Sequence, residues 1–212
     1  MQIIRYAELK PVPWRNGGGV TRELARHPRT PPAHVSLQAA APDDSWDWRV
    51  SIAEVTRAGA FSQYSGMERV LTVVDGELLL LTVDGAEHPL EKYRPFRFSG
   101  DAEAAGALPT GDIRDLNVIT RNGAFKGYTS IIELSKKRAH PVFEGQFGIF
   151  LQGQATVSPG APDAGPDAGS APEPVTLERY DAVVGADTAT PEIVGRGFLA
   201  VVSIDPAQPG TV

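Results

Sequence analysis

The chain has no cysteine among its 212 residues. That excludes disulfides, thiolate nucleophiles and sulfur-ligated metals together. Histidine is scarce as well. His27, His34, His88 and His140 are the full set, none at metal-ligand spacing from another, and three of them precede proline in turn-like His-Pro pairs. No GxSxG elbow marks a serine hydrolase. No stretch approaches the roughly 18 consecutive apolar residues that span a bilayer, and the opening MQIIRYAELK lacks the apolar core of a signal peptide. A soluble, cytoplasmic protein is therefore expected. Positive charge is short too: 20 Lys and Arg face 26 Asp and Glu, a net charge of -6. Neither a nucleic acid nor a membrane surface fits that balance as a partner. The run Lys136, Lys137, Arg138 reads as a solvated turn.

Helical periodicity is nearly absent, and what fills the chain instead is alternation. Short apolar runs of period two, separated by turn dipeptides, indicate an all-β protein. Val70 to Val74, Asp75-Gly76, Leu78 to Val83 and Asp84-Gly85 read as two successive hairpins. Further strands are expected at Gly19 to Arg26, Trp48 to Val55, Asp115 to Arg121, Tyr128 to Leu134, Gly148 to Leu151, Gln154 to Val157, Asp181 to Val184 and Phe198 to Ile204. An internal repeat also shows: LEKYRPF at Leu90 to Phe96 matches LERYDAV at Leu177 to Val183, each behind a turn glycine, Gly76 or Gly153. The second copy is lengthened by a Pro/Ala/Gly/Asp-rich segment near 158–174, read as a flexible hairpin insertion. A duplicated β-barrel follows, with a first domain over 1–125 and a divergent second over 126–212.

Two features point toward chemistry. In PVPWRNGGGVTREL, three glycines follow Trp14, Arg15 and Asn16; Val20 and Thr21 stand where a P-loop needs Lys and Ser/Thr, so a phosphate cradle is excluded. Alternation places Arg49, Ser51 and Ala53 on one strand face, and Asp115, Asn117, Ile119 and Arg121 on another. Arg69 shares a face with Leu71 and Val73. Those polar faces either meet solvent or line something wet. If Arg49, Arg69 and Arg121 converge with Arg15, they form an anion site, because the planar guanidinium grips carboxylates bidentately.

The combination PWRNGGGVTREL, WDWRVSIAEV, AFSQYSGMERVLTVVDGEL, FSGD and LNVITRNG resembles the HutD/Ves family of bacterial cupin-type proteins. The resemblance implies a bicupin, two jelly-roll cupin barrels in one chain, with Trp14 anchoring the glycine turn at the mouth of the first barrel. It also implies a link to histidine utilisation, with binding of an intermediate such as formylglutamate or urocanate restraining the pathway. Some members are described only as stress-induced. Where metal cupins carry HxH and a following Glu, this chain has FSQYSGMER, and AHPVFEGQFGIF in the second half offers one His and one Glu. No cofactor and no metal are expected. The favoured expectation is a binding protein for a small anionic metabolite, with Arg15, Asn16, Arg49, Ser51, Arg69, Asp115 and Asn117 as ligand-binding residues and no catalytic group. A homodimer is left open. The alternative is a cupin-fold isomerase or lyase on a carboxylate substrate with Asp115 as general base; a purely structural protein would show a sealed first barrel.

Overall fold

The structure, a computed structural model, describes residues 1–29, 46–160 and 173–207. His34 and most of the expected insertion lie outside the described residues. Among those described, the one helical element is a 3-10 turn at Tyr6–Glu8, and the rest of the regular structure is strand. Along the chain run β1 (Gln2–Ile4), β2 (Val12–Pro13), β3 (Gly19–Pro28), β4 (Trp46–Val55), β5 (Gly59–Ala60), β6 (Met67–Asp75), β7 (Leu78–Val83), β8 (Ala86–Glu91) and β9 (Phe96–Ser99). Next come β10 (Ala104–Ala107), β11 (Ile113–Arg121), β12 (Phe125–Leu134), β13 (His140–Pro141), β14 (Gln146–Pro159), β15 (Val175–Leu177), β16 (Ala182–Val184) and β17 (Pro191–Pro206). The fold is all-β, as the alternation requires.

The chain divides into two compact units. One comprises Lys10–Tyr128 with Ile204–Val212, the other Met1–Leu9 with Thr129–Ser203. Where the sequence suggests a single cut at 125/126, the first nine residues join the second unit. The cause is pairing: β1 adds to β16, and the Arg5 guanidinium holds Asp181 at 2.5 Å.

Within the Lys10–Tyr128 unit a six-stranded sheet, β2-β3-β4-β11-β6-β9, accompanies a four-stranded one, β5-β10-β7-β8. The two share an apolar cluster in which Ala53, Val55, Leu71 and Val73 of the first sheet meet Leu79, Leu81 and Leu90 of the second. Each fully buried Leu or Val in it contributes roughly 1.5–3 kcal/mol. Pairing is antiparallel throughout, and no sheet closes into a barrel among the described residues. The Asp84-Gly85 turn joins β7 to β8 as a two-residue hairpin, both residues at positive φ (47° and 82°). Asp75-Gly76 does not make the hairpin expected of it. β6 pairs with β11 and β9, whereas β7 pairs with β10 and β8, so this turn is a corner that carries the chain from one sheet to the other.

The second unit is organised on one sheet, β1-β16-β14-β17-β12, with β13 beside β17 and β15 beside β14. The two strands expected at Gly148 and Gln154 are a single long β14, which bulges between Phe150 and Gln152. Gly153 and Gly197 then pair across β14 and β17, at φ 110° and 117°. A Cβ on either would lie about 2 Å from the opposing carbonyl oxygen, so the bend requires glycine at both.

The repeat has a backbone counterpart in each unit. Tyr93 and Tyr180, three residues past Leu90 and Leu177, both adopt left-handed backbone (φ 68° and 72°). Each donates its N–H to the carbonyl three residues before the turn glycine: Tyr93 to Val73 at 2.8 Å, Tyr180 to Phe150 at 2.6 Å.

Candidate functional site

The Trp14–Gly19 turn forms one wall of a cavity of about 610 Å³ in the Lys10–Tyr128 unit. Gly17, at φ 66°, donates to the Trp14 carbonyl at 3.0 Å, and Gly18 N–H donates to Asn16 Oδ1 at 2.9 Å. Gly19 opens β3 against Val55 of β4. A Cβ there would sit 2.3 Å from the Glu54 carbonyl oxygen, so only glycine lets the chain lie so close. The indole of Trp14 donates through Nε1 to Thr21 Oγ1 at 2.7 Å and packs edge-on to Phe61. Trp14, Arg15 and Asn16 thereby face the cavity.

The floor is one face of the β3-β4-β11-β6 sheet. Glu23 pairs with Ser51 and Ser51 with Asn117; in the next row Arg49 pairs with Ile119, and Ile119 with Arg69. This polar face continues Ala53, Leu71 and Val73, which pack on the second sheet. It therefore looks into the inter-sheet space. Arg69 is 4% exposed, Asn117 6% and Ser51 2%, which rules out the solvated-face alternative for these three.

Aromatic rings hold the two arginines. Arg49 Nη2 donates to the Tyr64 hydroxyl at 2.8 Å, with its guanidinium 5.1 Å from the Trp46 ring centroid and 5.3 Å from that of Tyr64. Arg69 donates through Nη1 to the Ser62 carbonyl at 3.1 Å and through Nη2 to Asn117 Oδ1 at 2.8 Å. Its guanidinium lies 4.9, 5.5 and 5.6 Å from the rings of Phe98, Tyr64 and Phe61. Such contacts are worth about 0.5–2 kcal/mol each and fix the planes of both forks. Neither guanidinium is ion-paired to a carboxylate among the described residues, and each Nε is buried without a hydrogen-bond partner. Burial pushes the Arg69 pKa down; Tyr64 and Asp115 oppose that shift and Arg49 adds to it. An arginine stays charged under such a shift.

Of the residues expected at the site, Arg15, Asn16, Arg49, Ser51, Arg69 and Asn117 share this cavity. Asn16 offers chiefly its amide nitrogen, since its oxygen caps Gly18. Asp115 does not reach the wall. It is fully buried one row deeper, between Ala53 and Val73, and its Oδ1 accepts from Asn117 Nδ2. Desolvation there raises its pKa to about 7, with Arg69 pulling downward. Arg121 does not join the cluster either: Asp47 Oδ1 and the Trp46 carbonyl hold it, each at 2.9 Å. Sequence reading missed Glu23, Phe61 and Tyr64 as lining residues; Phe61 and Tyr64 lie in the loop between β5 and β6, where no strand alternation signals them. Among the described residues no group of three His, Asp or Glu is placed to hold a metal. No helix there is long and apolar enough to cross a membrane.

Fold and site together define an all-β protein with an arginine- and aromatic-lined cavity between two sheets. The chain belongs to the HutD family, whose model matches residues 6–201. It is 35% identical over 120 residues to an uncharacterized 21.2 kDa protein in the hutC 3' region of Pseudomonas putida, covering 56% of this chain and 57% of that one. It is 33% identical over 135 residues to protein Ves of Citrobacter koseri, covering 61% of this chain and 64% of that one. The matches thus span less than two thirds of either relative's length. The solved structure of HutD from Pseudomonas fluorescens SBW25 is 26% identical with a TM-score of 0.69, over 97% of this chain and 98% of that one.

Proposed function

We propose that the chain is a metal-free binding protein for a small carboxylate metabolite, acting in the cytoplasm as a regulator that senses an intermediate of histidine utilisation such as formylglutamate or urocanate. The observation that carries this is the pair Arg49 and Arg69, held side by side in one cavity without a carboxylate partner of their own among the described residues. Two cationic forks suit a dicarboxylate, while Ser51, Asn16 and Asn117 can orient it by hydrogen bonds. The pathway assignment rests on the HutD family match and on the hutC-region relative. We read the two units as two cupin-type copies in one chain, a reading supported by the matched tyrosine hydrogen bonds and left-handed turns. The isomerase or lyase alternative needs Asp115 at the ligand, and Asp115 is not on the cavity wall.

A thermal-shift screen of formylglutamate, urocanate, glutamate and glutarate tests the proposal. A ligand at about 100 times its Kd adds about 2.7 kcal/mol and raises Tm by several degrees. No shift with any of the four at millimolar concentration contradicts it.

A further inference from the structure

The carboxylate beneath the cavity floor is unusual in what surrounds it. Asp115 is wholly buried, and its register neighbours Ala53 and Val73 belong to the apolar core. One oxygen, Oδ1, accepts from Asn117; the other, Oδ2, is buried with no hydrogen-bond partner. Asn117 in turn accepts from Arg69 at 2.8 Å. A single chain of hydrogen bonds thus runs from a cavity-lining cation to a dry carboxylate. Among the described residues, Arg69 is the charge whose field acts on Asp115. β4 presents Ser51 and Ala53, β6 presents Leu71 and Val73 besides Arg69, and the second sheet presents Leu79 and Leu81 to the same core. Arg49 and Tyr64 act on Arg69.

We propose that capture of an anion at Arg69 is coupled to proton uptake by Asp115. This rests on reading the cavity as a carboxylate site. With the cavity empty, the Arg69 charge helps keep Asp115 ionised against its desolvation. A ligand carboxylate on Arg69 cancels that field and adds a second negative charge nearby, so one proton from solvent moves onto the Asp115 carboxylate and the buried site keeps its net charge. Because at most one proton is taken up, affinity falls by up to about tenfold per pH unit as pH rises through neutrality.

Asp115 would serve here as a positioning residue with a proton to gain, and Asp115→Asn separates this from a merely structural role. The amide keeps the oxygen that Asn117 uses and mimics the protonated acid. Asp115→Asn should therefore bind formylglutamate more tightly than wild type at about pH 8, with a flat pH profile. If Asp115 only orients Asn117, the variant binds no tighter at any pH. Calorimetry of the full chain with formylglutamate, in buffers of different ionisation enthalpy, should show net proton uptake, and carbon NMR of labelled Asp115 should show its midpoint rising at saturation. In the ligand-free protein, Arg69→Gln should raise that midpoint as well; an unmoved midpoint there overturns the coupling. Binding without proton uptake overturns this inference alone. No binding overturns the carboxylate reading, and the coupling with it.

Discussion

Arg49 and Arg69 stand opposite the same residue, Ile119, from the two strands that flank it, and both guanidiniums lie against the ring of Tyr64. With centroid distances of 5.3 and 5.5 Å, the two charges are no more than about 11 Å apart. At an effective dielectric near 20 they repel by about 1.5 kcal/mol or more. The fold holds this arrangement through aromatic stacking and hydrogen bonds to Tyr64, Ser62 and Asn117. A bound anion would relieve it.

Tyr64 should matter to binding more than to folding. Tyr64→Phe keeps the ring beside both arginines and removes the hydroxyl that accepts from Arg49. A loss of about 1 kcal/mol in ligand binding, roughly fivefold in Kd, is expected with stability changed by less than about 1 kcal/mol. Titration calorimetry beside urea unfolding reads both. Equal affinity in the two proteins would show that the Arg49–Tyr64 bond does not set the fork.

The glycine turn yields a graded prediction. Gly19→Ala drives a Cβ to 2.3 Å from a backbone oxygen, whereas Gly17→Ala meets open space and suffers only its positive φ. Gly19→Ala should cost about 2–4 kcal/mol and Gly17→Ala about 1. Chemical denaturation of both variants decides; equal costs would mean the turn is not pressed against β4.

Asp115 should leave a mark on stability without any ligand. Its folded pKa of about 7 lies above the value of about 3.9 for an unfolded chain. The native state therefore holds the proton more tightly, so the stabilisation is whole below about pH 3.9 and is lost as pH rises to about 7. Asp115→Asn removes the titration and should be more stable than wild type at about pH 8, by about 1–4 kcal/mol. A variant equally destabilised at about pH 5 and pH 8 would contradict the burial argument.

The purified protein should hold no stoichiometric transition metal, and chelators should leave its Tm unchanged. Zero cysteines and the lack of a three-residue donor group among the described residues are the grounds. Elemental analysis giving about one zinc, iron or manganese per chain would refute this.

Alternation made legible the shared direction of Arg49 and Ser51 on one strand, and of Asp115, Asn117 and Arg121 on another, because side-chain direction along a strand is a local property. Depth is not. Asp115 and Asn117 share that face, yet Asp115 lies a row further into the apolar core and misses the cavity. Arg121 shares it too, but at the strand end Asp47 captures it. Strand pairing is likewise nonlocal: Asp75-Gly76 signals a turn correctly and cannot say that the two strands enter different sheets. Tyr64 and Phe61 reach the arginines from a loop, through contacts no periodicity encodes.

Arg49 and Arg69 are proposed to bind a carboxylate inside this cavity. Calorimetric titration of wild type and Arg49→Ala with formylglutamate, urocanate and glutamate tests it most directly. A charge-assisted bond to a desolvated carboxylate is worth about 1.5–3 kcal/mol, so Arg49→Ala should weaken binding about 10- to 150-fold, with Arg49→Lys recovering only part. Identical affinities in wild type and Arg49→Ala, or no binding by either, would contradict the account.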